Sequence, residues 1–415
     1  MVIEIPQENE KKARAFLVGE PGNDLKELES LITTLGMELA GKITLARQKK
    51  TAIYGIGTGK AHEINEAAHE SQSDCIIFDF TIDPTKQRNW ERLAKIPVFD
   101  RQEVILRIFA QRAQTREAVL QVELARLEYS RPRLAHVYGD LARQRGGNYG
   151  TKGSGETQLE LDQRQVRQKI QVLKKELEKV AKNRSIQRKR REKFQIPLCS
   201  IAGYTNAGKS SLLNALTGAQ VLAENKLFAT LDPTTRKLTL SEKKQVLLSD
   251  TVGFISNLPH GLVNAFKSTL EEVQKADLIL LVVDAGDPQS ENHYKTCLKV
   301  LDEIGASQTP HLIVLNKMDR FSEKSKNEKN DAFQTDGTSG TLGTSENPGT
   351  FADNAIILSN LAKNFPDAIK ISVRTGEGLE DLKKAIEDRL FGSKKSFARQ
   401  QQKKSGFMFQ DKVSG

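Results

Sequence analysis

Gly203, Gly208, Lys209 and Ser210 fall at G-x4-G-K-S spacing in PLCSIAGYTNAGKSSLLNAL, after one apolar run and before another. A phosphate loop needs this setting: a strand, a glycine turn and a helix start. The amides of Tyr204, Thr205, Asn206 and Ala207 would wrap a β-phosphate at the helix N-terminus. Lys209 would neutralise the β and γ oxygens, and the Ser210 hydroxyl would ligate Mg2+. In VLLSDTVGF, Asp250 would hold the magnesium shell and Gly253, past Thr251 and Val252, would offer its N–H to a γ-phosphate. HLIVLNKMD ends a buried run with Asn316, Lys317, Met318 and Asp319. A carboxylate at Asp319 can accept both N1–H and the N2 amino group of guanine, with the Lys317 stem over the base. Adenine offers neither donor there, a mismatch that can reach about 10⁴–10⁵ in discrimination. Ser372, Val373 and Arg374 in AIKISVRTGEG stand where a further element would meet the base. The motifs, in this order, specify GTP binding and hydrolysis to GDP and exclude an ordinary ATPase.

Between the first two motifs lies NKLFATLDPTTR, a candidate switch holding Phe228, Ala229, Leu231 and Asp232. Thr230, Thr234 and Thr235 compete there for the second magnesium position, and spacing does not choose among them. Where Ras-like switches carry a water-orienting glutamine, this chain has Phe254, which predicts slow intrinsic turnover. Asn206 has two readings: a loop-capping side chain, or a residue that helps hold a potassium ion (K+) against the phosphates.

These residues need strands and helices to position them. Residues 1–100 alternate strand-like and helical runs, as in AFLVG, DLKELESLITTLG, CIIFDF, TKQRNWERLAKI and PVFD, which predicts a small α/β unit. A capping box at Asp100 and Glu103 opens a helix expected to run to Tyr129, where RPRL should stop it. A second helix, from about 157 to 193, places Val166, Ile170, Leu173, Leu177 and Val180 at coiled-coil spacing. Residues 101–195 are thus expected to form an antiparallel helix hairpin with GGNYGTKGSGETQLE near its tip. An α/β nucleotide domain follows over 196–391, interrupted at 321–354 by a low-complexity insertion expected to be disordered. A basic tail, 392–415, closes the chain.

The 415 residues carry a formal charge of +10, which favours a polyanionic partner once the charge clusters. It does: Leu161 to Gln195 holds thirteen Lys/Arg against four Asp/Glu. The apolar run LILLVV is far short of the ~20 residues of a membrane span. Cys75, Cys199 and Cys297 lack metal-type spacing, and a charged start argues against secretion. A cytoplasmic monomer, with a fraction at the membrane surface, is expected.

GTGKAHEI, RIFAQRAQTREAVLQVELARLEY, GGNYGTKGSGETQLELDQR, GYTNAGKS, LFATLDPTTR, DTVGF and NKMD together resemble the HflX family of ribosome-associated GTPases over 16–391. The resemblance implies an N-terminal HflX domain with a helix hairpin, then a GTPase domain. It implies binding to the large ribosomal subunit, its RNA and proteins, and splitting or rescue of stalled ribosomes under stress. It also assigns Thr230 as the magnesium-binding switch threonine, catalytic together with Lys209 and Gly253. The insertion and the short tail depart from the family. YGIGTGKAHEI lacks G-x4-G-K spacing, so it reads as a turn opening a Lys60–Glu70 helix rather than as an ATP site. Two rival functions are a GTPase partnered with an RNA-modifying enzyme, in the manner of MnmE, and a signalling switch without RNA contact.

Overall fold

The computed structural model describes residues 12–47, 53–144, 158–193, 196–219, 227–241, 244–256, 267–321, 359, 361 and 363–392. The tip run from 145 to 157, nearly all of the 321–354 insertion and the tail from 393 lie outside them. Two compact units result: Met1–Lys189 with Asn225–Asp232 and Asn257–Ser268, and Arg190–Glu224 with Pro233–Ser256 and Thr269–Gly415.

The first unit alternates β1 (Arg14–Gly19), α1 (Lys26–Thr34), β2 (Glu38–Thr44), α2 (Thr58–Glu70), β3 (Cys75–Phe78), α3 (Pro84–Ala94) and β4 (Val98–Asp100). Its sheet is parallel in the order β2-β1-β3-β4. β1 and β3 read as continuous apolar runs because helices cover both faces of a parallel sheet. Trp90 anchors the core between Tyr54 and Phe78, its indole N–H donating to the Tyr54 carbonyl at 2.9 Å. Each such buried side chain contributes about 1.5–3 kcal/mol. β2 has no signature in the sequence. It is an edge strand with mostly exposed side chains, and Gly41 lets the Phe16 ring lie against its backbone.

The long helix expected from Asp100 is two helices, α4 (Arg101–Arg112) and α5 (Arg116–Gln144). The capping box holds, with Glu103 N–H donating to Asp100 at 3.0 Å. The break comes where Ala113 turns extended and Thr115 caps a new start by accepting from Ala118 N–H. At its other end the helix does not stop at RPRL. It runs through Pro132, because Arg133 bonds back to the Tyr129 carbonyl and ties this turn to Asp100 and Gln87. α6 (Gln158–Lys193) returns antiparallel, with Ile170 and Leu173 against Leu120 and Leu124, and Val166 and Leu177 at the margins. Glu117 pairs with Arg184 and Glu128 with Lys174, which fixes the register.

The second unit contains β5 (Leu198–Gly203), α7 (Lys209–Thr217), β6 (Thr234–Thr239), β7 (Gln245–Asp250), most of α8 (Lys267–Gln274), β8 (Leu278–Asp284), α9 (Ser290–Glu303), β9 (His311–Asn316), β10 (Ile369–Lys370) and α10 (Leu379–Phe391). Sheet order is β10-β9-β8-β5-β7-β6, parallel except for β6 against β7. The chain reverses direction across the sheet at β5, so a crevice opens at the carboxyl ends there. Gly203, Asp250, Asp284 and Asn316 end the strands around it. Among the described residues no helix is long and apolar enough to cross a membrane.

A buried polar network ties the sheet of the first unit to the base of α5. Asp100 accepts from Tyr129 Oη at 2.9 Å and pairs with Arg133 at 3.2 Å, while the Arg133 guanidinium stacks on the Tyr129 ring. Burial raises the Asp100 carboxyl, and its donors work against that. Tyr129→Phe keeps the ring but deprives a buried carboxylate of a donor, an expected cost of about 2 kcal/mol. The single tryptophan lies in this unit, so urea unfolding followed by its fluorescence reports the loss as a lower midpoint.

Candidate nucleotide site

The turn from β5 to α7 carries the phosphate-loop residues. Gly208 sits at φ 95°, and a Cβ there would lie 2.3 Å from the Asn316 side-chain nitrogen. Only glycine suits that backbone and that approach. Asn206 also has positive φ, at 60°. Lys209 is buried, and its ammonium donates to the Tyr204 carbonyl at 2.7 Å. Burial lowers its pKa, with the Asp250 charge pulling the other way. Ser210 Oγ donates to Asp250 Oδ2 at 2.6 Å, so a hydroxyl and a carboxylate converge beside the lysine. Asp250 is fully buried, and Thr251 is fixed beside it by a bond to the Ile201 carbonyl. An Mg2+ ion fits these oxygen donors.

The other side of the crevice suits a base. Asn316 donates to the Ala207 carbonyl at 2.9 Å and accepts from Val373 N–H at 3.2 Å, joining the phosphate turn to the loop after β10. Lys317, at φ 66°, reaches both Asp284 and the Asn206 carbonyl at 2.7 Å. Met318 N–H bonds the Ile371 carbonyl. Asp319 accepts from Ser372 Oγ at 2.6 Å and pairs with Arg374 Nε at 2.9 Å. Burial works to raise the Asp319 carboxyl, but the bonds from Ser372 and from its own backbone amide, and then Arg374, outweigh it and hold it below the ordinary value. An ionised carboxylate in this place can accept paired N–H donors from a ring edge. The residues singled out on β5, β7, β9 and after β10 thus meet at one edge of one sheet.

The switch segment is placed differently. Thr234 and Thr235 are locked in the β6 ladder opposite Asp250 and Ser249, which leaves Thr230 outside it. The stretch before β6 belongs to the first unit. Leu227 N–H donates to Thr34, and Phe228, at φ 55°, sets its ring edge-on to Phe109 at 4.7 Å. Leu231 is buried, while Ala229 and Thr230 are half-buried between these anchors. Asp232 accepts from the amides of Gln114 and Thr115 at 3.2 Å and from the Thr115 hydroxyl, reinforcing the cap of α5. The sequence reading missed Thr34, Phe109 and Thr115. The available signal was the presence of Leu227, Phe228 and Leu231 in a loop, since three large apolar side chains must be buried somewhere. YGIGTGK forms a turn opening α2, and Lys60 is spent on Glu63 one helical turn on.

Family models match three stretches: GTP-binding GTPase N-terminal over 22–110, GTP-binding GTPase Middle Region over 112–191, and 50S ribosome-binding GTPase over 198–317. GTPase HflX of Akkermansia muciniphila is 48% identical over 339 residues, 78% of each chain. The Escherichia coli GTPase HflX is 41% identical, over 89% of this chain and 79% of that one. The one from Treponema denticola is 43% identical, over 91% and 90%. A solved GTP-binding protein from Sulfolobus solfataricus, in complex with GDP, is 24% identical at a TM-score of 0.44, covering 92% of this chain and 99% of its own. With curated relatives this similar over most of its length, the chain belongs to the HflX family of P-loop GTPases, enzymes that bind GTP and hydrolyse it.

Proposed function

We propose that the crevice residues hold GTP, and that the protein uses its hydrolysis to bind the large ribosomal subunit and to split or rescue stalled ribosomes. Gly203 to Ser210 take the phosphates, with Lys209 on the β and γ oxygens. Mg2+ is held by Ser210 and Thr230, with Asp250 in its shell, and it supplies charge neutralisation at those oxygens. Gly253 N–H meets the γ-phosphate. Asp319 accepts the guanine edge, and Ser372, Val373 and Arg374 flank it. Phe228 to Asp232 carry the switch. The protein works as a monomer in the cytoplasm.

The observation that supports the ribosomal reading is the hairpin. Its seam is apolar and closed, yet Arg167, Lys169, Lys175 and Lys179 are exposed along α6. A protein-docking arm has no need of so much positive charge. An RNA phosphodiester backbone does, and each contact released by salt weakens binding in a measurable way. The family model over 198–317 is described as a ribosome-binding GTPase, which points the same way. The charge and the glycine-rich tip together favour this over an RNA-modifying partner.

Three experiments test the reading. Asp319→Asn should lose GTP and gain xanthosine triphosphate, whose base presents a carbonyl where guanine has its amino group; unaltered GTP affinity would refute the base assignment. Replacing Gly146–Gly155 with a short neutral turn should leave GTP affinity unchanged. It should weaken co-sedimentation with large subunits in the presence of a non-hydrolysable analogue, flatten the salt dependence and lower the subunit-stimulated hydrolysis rate. Equal binding by the shortened protein would reduce that loop to a connector. If Asn206 holds K+, changing sodium for potassium should raise the free protein's slow rate, and Asn206→Ala should erase the difference; a rate indifferent to the cation would remove potassium from the scheme.

A further inference from the structure

Asp319 has protein donors on both of its carboxylate oxygens. Ser372 Oγ lies 2.6 Å from Oδ1, and Arg374 Nε lies 2.9 Å from Oδ2. Ser372 Oγ also accepts from Thr375 N–H at 3.2 Å, which leaves its own hydrogen for the carboxylate. The backbone at Arg374 is fixed from both sides. Before it, Val373 N–H donates to the Asn316 side chain at 3.2 Å. After it, Gly376 N–H bonds the Ser372 carbonyl at 2.9 Å, and Ser372 N–H the Glu377 carbonyl at 3.0 Å, closing a turn around the arginine. The Asp319 side chain is 9% exposed and that of Arg374 59%, so the pair joins a nearly buried carboxylate to a cation at the surface.

A carboxylate offers about four lone-pair directions, shared between its oxygens. Ser372 and Arg374 use one apiece, which leaves room on each oxygen for a base. Guanine fills both places, with N1–H and its 2-amino group. Hypoxanthine, the base of inosine, keeps N1–H and lacks the amino group. Where an oxygen has no donor but the base, that loss leaves a charged and nearly buried acceptor unpaired, and rejection is steep. Here each oxygen keeps a protein donor whichever donor the base lacks. Adenine stays excluded, because its N1 is an acceptor and would face the carboxylate.

We propose that Arg374 sets the base specificity of this site and opens it to inosine as well as guanine nucleotides: its bond to Asp319 stands in for the missing 2-amino donor. This rests on the placement of the base against Asp319 proposed above. Arg374 is a positioning residue, since it acts on the base through the carboxylate. Ser372 guards one oxygen from inside the fold, and the arginine guards the other from the surface.

Equilibrium binding of GDP and of inosine diphosphate to the full-length protein with Mg2+ tests this. In the parent the inosine diphosphate Kd should exceed the GDP Kd by no more than about tenfold, the scale of one modest hydrogen bond. Arg374→Ala should raise that ratio about tenfold further, because Oδ2 then depends on the 2-amino group. Arg374→Lys restores a cationic donor and should bring the ratio back toward that of the parent. An arginine that merely shaped the turn would weaken both nucleotides alike. A larger parent ratio, a ratio that Arg374→Ala leaves unchanged, or one that Arg374→Lys fails to lower from the alanine value overturns the proposal. Asp319→Ala separates the two readings. If it binds GDP as the parent does, the base placement is wrong; if it loses GDP while Arg374→Ala leaves the ratio still, the role of Arg374 alone fails.

Discussion

A buried ammonium organises the second unit. Taking the Lys209 charge out of water costs several kcal/mol unless other groups replace the lost hydration. The protein supplies a backbone carbonyl from Tyr204 and a carboxylate charge from Asp250, and both come from strand ends. β5 must therefore stop where its next carbonyl can turn inward, and β7 must lie beside it and end on an aspartate. That neighbourhood exists because β7 and β8 flank β5 on opposite sides, the point where a doubly wound sheet opens a crevice. Asn316 then closes the arrangement from two strands away through the Ala207 carbonyl. The burial of this lysine is thus a property of the whole sheet edge, and the motif spacing records only its local part.

This explains which features the sequence made legible. Gly203, Asp250 and Asn316 were readable because each ends an apolar strand, Lys209 because it opens a helix straight after the glycine turn, and Asp319 because it follows a strand end by three residues. The hairpin seam was readable from Ile170, Leu173 and Leu177 for the same reason: period reports burial. β2 carried no such signal, because an edge strand buries little and is specified by its neighbour. The Phe16 ring and the backbone of β1 define it more than its own residues do.

The helix boundaries failed for a different reason. Propensity placed a stop at Pro132 and none at Thr115, and both were overridden by residues distant in sequence. Asp100 and Gln87 hold Arg133, so the turn around the proline is pinned from outside the helix. Asp232 holds Thr115, the residue that caps α5, from far along the chain. Local rules describe what a segment does alone. Long-range polar contacts can outweigh them: a proline costs about 3 kcal/mol in a helix interior, and hydrogen bonds to charged groups, of which Arg133 makes several here, contribute about 1.5–3 kcal/mol each.

Asp232 also makes the segment before β6 more than a surface loop. Thr230 stands between two anchors, the Phe228 ring on Phe109 and the Asp232 carboxylate on the Gln114 and Thr115 amides just before α5. Displacing the segment would break an aromatic contact and strip the capping Thr115 of its acceptor, a combined cost on the order of 1–3 kcal/mol. The backbone around Thr230 and the start of the hairpin therefore cannot change independently. Coupling of this kind is reciprocal. Whatever stabilises the first turn of α5 acts on the threonine segment to the same extent, and the hairpin arm and that segment share one residue as their common support.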